Sequence, residues 1–214
     1  MTTPKVRARN PRGEGRRLRQ DIVRAATELL DEGEIEAPIA LRDVARRVGI
    51  SAPSIYAHFA DRDAILLAVV ETAFAELKTH LQTAADQPSV GSVARLHAFC
   101  VAYLDFAIRW PRRYHVLFGG TWNAKTTPPS LEEAVAAETV GMDVFVMLVD
   151  TLQDCVKAGD SASTDPLADA TGLWVALHGF AHLRATTPMM PWPPDLLERL
   201  VSRLARLSPS EVRA

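Results

Sequence analysis

The chain has 214 residues, 48% of them hydrophobic, a formal net charge of -2 and two cysteines. That length can bury a large core in one or two domains, and Cys100 and Cys155, both in helical patterns, fit buried free thiols in a reducing cytoplasm. No apolar run approaches the roughly 20 residues a bilayer needs, since Val144 to Val149 is closed by Asp143 and Asp150, and no secretory leader is legible before Asp21 and Glu28.

The charge is unevenly placed. Between Met1 and Arg19 stand seven basic residues against Glu14, a local balance of +6 that leaves -8 for the rest. A basic arm on a mildly acidic body suits an anionic polymer at one end; a solvated tail that touches nothing is the alternative. Residues 1–15 are read as a disordered basic arm. Pro38, Pro88, Pro128, Pro129, Pro166 and Pro188 fall between helical patterns and no stretch alternates as a strand does, so an all-α fold is predicted.

Ile22, Ala25, Ala26, Leu29 and Leu30 give a first amphipathic helix. Leu41, Val44, Ala45 and Val48 share one face of a second, which Gly49 stops because glycine takes the left-handed conformation without a Cβ penalty. Ala40 offers no side-chain cap there, which leaves Asp43 near the first turn. Ser51 is placed to cap the next helix and Pro53 sits where that turn needs no donor. Ile55 and Phe59, four apart, turn inward, leaving Ser54, Tyr56, Ala57 and His58 to face out. Asp61 is the expected cap of a helix starting at Arg62. Two short helices about a tight turn, with polar groups outward, form the layout of a DNA-reading helix-turn-helix.

The VARRVGIS segment, the SIYAHF helix and the FADRDAIL run resemble the TetR family of transcriptional regulators over residues 16 to 70, about a quarter of the chain. The resemblance implies an N-terminal three-helix DNA-binding domain, read here as residues 16–62. Beyond it lies a C-terminal helical ligand-binding and dimerisation domain, read as 63–208. By matched position, Arg42 and Ser54 would touch base edges. Ala52, Pro53 and Ala57 would make apolar contacts, while Ser51, Tyr56, His58 and Arg62 would hold phosphates. Ala57 stands where many relatives carry an aromatic residue, which alters base selection at that position.

Further helices are expected over about 62–85, 92–110, 112–118, 131–158, 167–186 and 195–207. The first links the two domains and would act as a nearly rigid lever. Phe99, Tyr103, Phe106 and Trp110 recur at steps of four, three and four, an aromatic stripe. Such a stripe is ordinarily core. The functional reading is a small-molecule pocket lined by these four with His115, Phe118, Trp122, Met142, Phe145, Trp174 and His178, largely apolar with a few orienting polar groups. VFVMLV at 144–149 and LWVALHGFA at 173–181 are apolar on more than one side, and Gly141, Gly172 and Gly179 interrupt their helices at about 1 kcal/mol each. Close approach of another helix would explain them, so a homodimer through a four-helix interface is predicted, against a buried hairpin within a monomer. PRRYHVLFGG at 111–120 and WVALHG at 174–179 resemble a subgroup of TetR-like regulators marked by Trp, His and Gly in order (WHG).

Rival chemistry finds little footing. His178 and His182 are four apart, as in a two-histidine metal site, but no HExxH glutamate or ligand cluster accompanies them. No phosphate loop, nucleophile elbow or catalytic Cys/His spacing occurs, and a thiol switch at Cys100 or Cys155 lacks a flanking basic cluster. The expectation is a cytoplasmic, non-enzymatic regulator without cofactor or metal, a repressor released from a palindromic double-stranded operator by a largely apolar small-molecule effector. A structural DNA-binding protein, or an activator without an inducer, is the alternative.

Overall fold

The computed structural model describes residues 14–33, 39–86, 91–119 and 141–208. Within them the chain forms nine α-helices and no strand. These are α1 (Glu14–Glu32), α2 (Leu41–Val48), α3 (Ala52–Ile55), α4 (Arg62–Ala85), α5 (Ser92–Arg109), α6 (Pro111–Phe118), α7 (Met142–Lys157), α8 (Pro166–Thr186) and α9 (Leu196–Leu204). None is long and apolar enough to cross a membrane. By internal contacts the chain divides at Val70 and Glu71, inside α4 and eight residues beyond the boundary read from sequence. Most of the arm, residues 1–13, lies outside the described residues; α1 begins at Glu14, two residues inside the segment read as arm.

In the first unit, Ile22, Ala26 and Leu30 of α1 are buried with Val44 and Ala45 of α2, Ile55 of α3, Phe59, and Ile65 and Val69 of α4. Each aliphatic side chain so removed from water is worth about 1.5–3 kcal/mol. Arg47 of α2 grips the Glu32 carboxylate at the end of α1 through two parallel bonds of 2.8 and 2.6 Å. That hydrogen bonding holds the Glu32 carboxyl below its ordinary pKa.

In the second unit α5 is central, packed against α6, α7, α8 and α9. Leu96, Phe99, Tyr103 and Phe106 of α5 are sealed with Val144, Leu148 and Leu152 of α7, Leu173 and Leu177 of α8, and Val201 of α9. Cys100 and Cys155 are free and buried there, and burial pushes the Cys100 thiol up to about 12. Asp165 caps α8 by accepting the Ala168 N–H at 3.1 Å, with Pro166 in the first turn where no donor is needed. The loop between α7 and α8 is tied to the end of α9 by a bridge between Ser161 and Leu207 and by the Ser161 hydroxyl donating to the Ala205 carbonyl at 2.7 Å.

One helix differs from the sequence reading. The expected 131–158 helix is found only from Met142, residues 131–140 lying outside the described residues. Gly141 is not inside it but just before it, at φ +83°. A Cβ at Gly141 would strike the Phe74 ring of α4. This glycine therefore answers to a left-handed turn and to close packing within its own unit.

Candidate functional site

The turn between α2 and α3 is built by short-range bonds. Gly49 is left-handed at φ 76°, its N–H reaches the Arg46 carbonyl at 3.2 Å, and the Ile50 N–H reaches back to Ala45 at 3.0 Å. This pair of bonds is the Schellman arrangement, which satisfies carbonyls that the end of α2 would otherwise leave open. Ser51 then departs from expectation. Its hydroxyl makes no cap bond but lies 2.7 Å from the Ser54 hydroxyl. The reason is local: Pro53 has no N–H to offer, and the Ser54 N–H is already taken by the Ser51 carbonyl at 2.9 Å.

Beyond Ile55 the chain keeps a helical course, the His58 and Phe59 N–H groups both donating to the Ile55 carbonyl at 2.8 and 3.0 Å. Ile55 and Phe59 anchor it. Ser51, Pro53, Tyr56 and Ala57 face solvent, Tyr56 being 58% exposed, and Ala52, Ser54 and His58 are half-buried. Asp61 caps α4 by accepting the Ala64 N–H at 2.8 Å. Arg62 donates from Nε to the Ile39 carbonyl at 3.2 Å, which fastens the start of α4 to the segment before α2 and restricts the reach of this side chain.

On α2, Arg46 pairs with Asp43 at 2.9 Å and Arg47 is held by Glu32, whereas exposed Arg42 makes no ion pair among the described residues. The Arg19 guanidinium of α1 lies 4.6 Å above the Phe59 ring. A Cβ on Gly15 would come to 3.9 Å from the His58 ring, so α1 begins beside the exposed turn.

The second unit gathers rings from α4 to α8. Tyr103 is wholly buried, with Trp174 at 5.4 Å, His178 at 5.3 Å, Tyr114 at 6.0 Å and Phe118 at 6.1 Å between ring centroids. His178 stands 4.5 Å from Phe118 and 4.6 Å from Trp174, and Phe145 meets Trp174 at 5.8 Å. Phe74 meets Phe118 edge-on at 5.7 Å. Offset and edge-to-face pairs at these separations suit the ring quadrupoles. His178 Nδ1 lies 2.9 Å from the Trp174 carbonyl, and its Nε2 lies 3.0 Å from the Tyr103 hydroxyl, itself 3.3 Å from the Tyr114 hydroxyl. Burial lowers the pKa of His178, against a smaller rise from its Trp174 bond, and raises both tyrosines.

Of the residues read as a pocket, Tyr103, Phe118, Phe145, Trp174 and His178 come together. Phe106 and Trp110 pack instead against His80 of α4, because α5 ends at Arg109 and the chain turns away at Trp110. Phe99 is core, with no ring partner among the described residues. His115 lies against Gly119 at the end of α6, and Met142 is exposed. Trp122 lies outside the described residues. Tyr114 and Phe74 belong to the ring cluster, although the sequence pattern did not single them out. Tyr114 precedes Phe118 by one helical turn, a spacing that could have found it; nothing local marks Phe74.

Two family descriptions match the chain: bacterial regulatory proteins of the tetR family over residues 22–69, and the tetracyclin repressor-like C-terminal domain over residues 96–207. An HTH-type transcriptional regulator of Mycobacterium tuberculosis is 27% identical over 142 residues, 66% of this chain, and the chain spans only 58% of the length of that relative. The class A tetracycline repressor protein from transposon 1721 of Escherichia coli is 32% identical over 90 residues, covering 40% of this chain and 41% of its own. Among solved structures, a Rhodococcus protein of unknown function superposes with TM-score 0.69 at 24% identity, covering 95% of each chain. The TetR family transcriptional regulator PfmR of Thermus thermophilus does so at 0.60 with 19% identity, covering 86% of this chain and 96% of its own. These two show a shared fold. Since the C-terminal description alone covers more than half of the sequence, the chain belongs to the TetR family.

Proposed function

We propose that this protein is a ligand-responsive, sequence-specific DNA-binding transcriptional regulator that represses by occupying a palindromic operator and leaves it when a small molecule binds. The observation that carries the reading is the outward surface from Ser51 to His58, anchored from beneath by Ile55 and Phe59 and led by a turn that Gly49 closes. Such a surface enters the major groove with its N-terminal residues at base edges. Arg42, free of any ion pair among the described residues, is the base-reading cation. Ser54 reads beside it; Ala52, Pro53 and Ala57 supply apolar contact; Ser51, Tyr56, His58 and Arg62 serve the phosphates. The position of Gly15 beside His58 supports a phosphate role for the basic residues before it.

A homodimer is part of the same proposal. Gly172 and Gly179 of α8, seven residues apart, have no atom of the described residues outside their own helix backbone within 4 Å of a built Cβ, and Val175 between them is 65% exposed. With exposed Val146 on α7, this leaves an apolar, small-residue face on the two helices predicted to form the interface. The Trp-His-Gly pattern then divides its work: Trp174 and His178 turn to the rings, Gly179 to the partner. Effector binding would favour a state whose paired recognition surfaces miss adjacent grooves, and nearly complete switching needs about 10⁴-fold preference for that state.

A salt titration with purified protein tests the DNA-binding reading. Binding to duplex DNA is expected to weaken linearly in log affinity against log salt and to fall to background when Tyr56→Asp places a negative charge at the groove. Protein that ignores every duplex at low ionic strength would overturn it.

A further inference from the structure

Among the described residues, a cavity of about 310 Å³ opens between α5, α6 and α8. That is the lower end of the size range over which proteins hold small molecules. Its origin lies in side-chain size. Along α8, Trp174, His178, Ala181 and Ala185 recur at steps of four, three and four, so they share one face of the helix. The first two pack as rings beside Tyr103 of α5; the last two offer only a methyl each. On α5, Tyr103 is followed one turn later by Ala107, which lines the same cavity as Ala181 and Ala185. Where both helices exchange rings for alanines, the space between them stays open.

The lining sets the chemistry of a guest. Buried Leu104 and half-buried Ala107 and Ala181 make the floor, and exposed Ile108, Pro111 and Ala185 make the rim. None of the six carries a polar side-chain atom or an aromatic ring, so the surface offered to the body of a guest is aliphatic. The remaining lining residue is Arg184, which makes no ion pair among the described residues. Its guanidinium lies 5.5 Å from the centroid of the buried Phe180 ring, and that contact holds the cation at the mouth. No acidic side chain lines the cavity to compete for it. An apolar hollow with one cation at its rim matches a molecule with an apolar body and an anionic head. A single guanidinium offers one planar fork of donors, the counterpart of one carboxylate; a dianionic phosphate would ask for more cations than this rim holds.

We propose that this cavity binds an aliphatic monocarboxylate of short or medium chain length and that this molecule is the effector. Its chain lies on Leu104, Ala107 and Ala181, and its carboxylate pairs with Arg184. The effector role rests on the ligand-responsive reading above; the binding site does not. A guest seated here touches α5, α6 and α8 at once and ties the three together.

The test is calorimetric titration of the full chain with butanoate, hexanoate, octanoate, octanol and octylammonium, followed by duplex DNA binding in the presence of each. Octanoate is expected to bind about 3- to 5-fold more tightly than octanol, the worth of an ion pair at a wet rim, and octylammonium not to saturate. Each methylene from butanoate to hexanoate should tighten binding about 4-fold. Arg184→Gln should bring octanoate level with octanol, and Arg184→Glu should turn the preference to octylammonium. Ala181→Leu fills the floor and should abolish binding of every probe; should it fail to fold, Ala185→Leu, at the exposed rim, is expected to weaken them all by narrowing the mouth. Equal wild-type binding of octanoate and octanol, octanoate binding unmoved by both Arg184 variants, or undiminished binding in folded Ala181→Leu or Ala185→Leu would overturn the site. Release of DNA by some other compound, with none of these five bound, would overturn the proposal and leave the regulatory reading standing. Octanoate bound through Arg184 with DNA affinity unchanged would sustain the site and reject its role as the effector's. Intact DNA binding with no response to any compound would reject the ligand-responsive reading itself.

Discussion

The two units are held by different kinds of information. In the first, the bonds that close the exposed turn span five residues or fewer: Gly49 to Arg46, Ile50 to Ala45, His58 to Ile55, Ala64 to Asp61, and the longer ties of its frame, Arg47 to Glu32 and Arg62 to Ile39, span 15 and 23. In the second, the decisive contact joins Tyr103 to His178, 75 positions apart. The difference teaches that the surface proposed to face DNA is a local motif resting on a small core, while the ring cluster exists only once α5, α6 and α8 have packed.

The largest effect that sharpens this contrast is on the second core. Leu173→Ala, at a fully buried position of α8, should cost about 2–5 kcal/mol of stability, read as the denaturation midpoint, while leaving base preference at low temperature unchanged. Arg42→Ala should do the reverse. It is expected to remove about 1–3 kcal/mol of discrimination between operator and scrambled duplex with the melting temperature unmoved, and full retention of preference would reject the base-reading role. Smaller still is Gly49→Ala, which adds a methyl that meets nothing within 4 Å among the described residues but must hold φ near 76°. The left-handed penalty of roughly 1–2 kcal/mol should appear as a loss of stability and of DNA affinity together.

The sequence revealed what proximity along the chain determines. Gly49, Asp61, the inward pair Ile55 and Phe59, and the limits of α4 are all legible in it, because caps, turns and apolar spacing act within one or two helical turns. Ser51 misleads, since its capping role depends on donors that Pro53 and the Ser51 carbonyl itself remove. The aromatic stripe of α5 misleads differently: Tyr103 turns to α8 while Phe106 turns to His80, a choice made by neighbours distant in sequence. Gly141 stands out in the sequence, but its demand comes from Phe74 of α4, which no local pattern reveals.

The smallest expected effect comes from His178. Its pKa in the folded chain is lowered by burial, so the unfolded chain binds a proton more readily. Stability from this group is whole above the unfolded value of about 6.5 and falls as pH drops toward the folded value. A melting curve should shift down by on the order of a few °C over that interval, and His178→Gln should flatten that component; an unchanged slope would mean that the ring is not held neutral by burial.

The central claim is that the surface from Ser51 to His58 reads duplex DNA, once from each of two chains. Selection of bound sequences from random duplexes by the purified protein tests it most directly. The account predicts an inverted repeat whose half-site centres lie about one helical turn, roughly 34 Å, or a multiple of it apart. Recovery of no preferred sequence, or of a single unrepeated half-site, would contradict it.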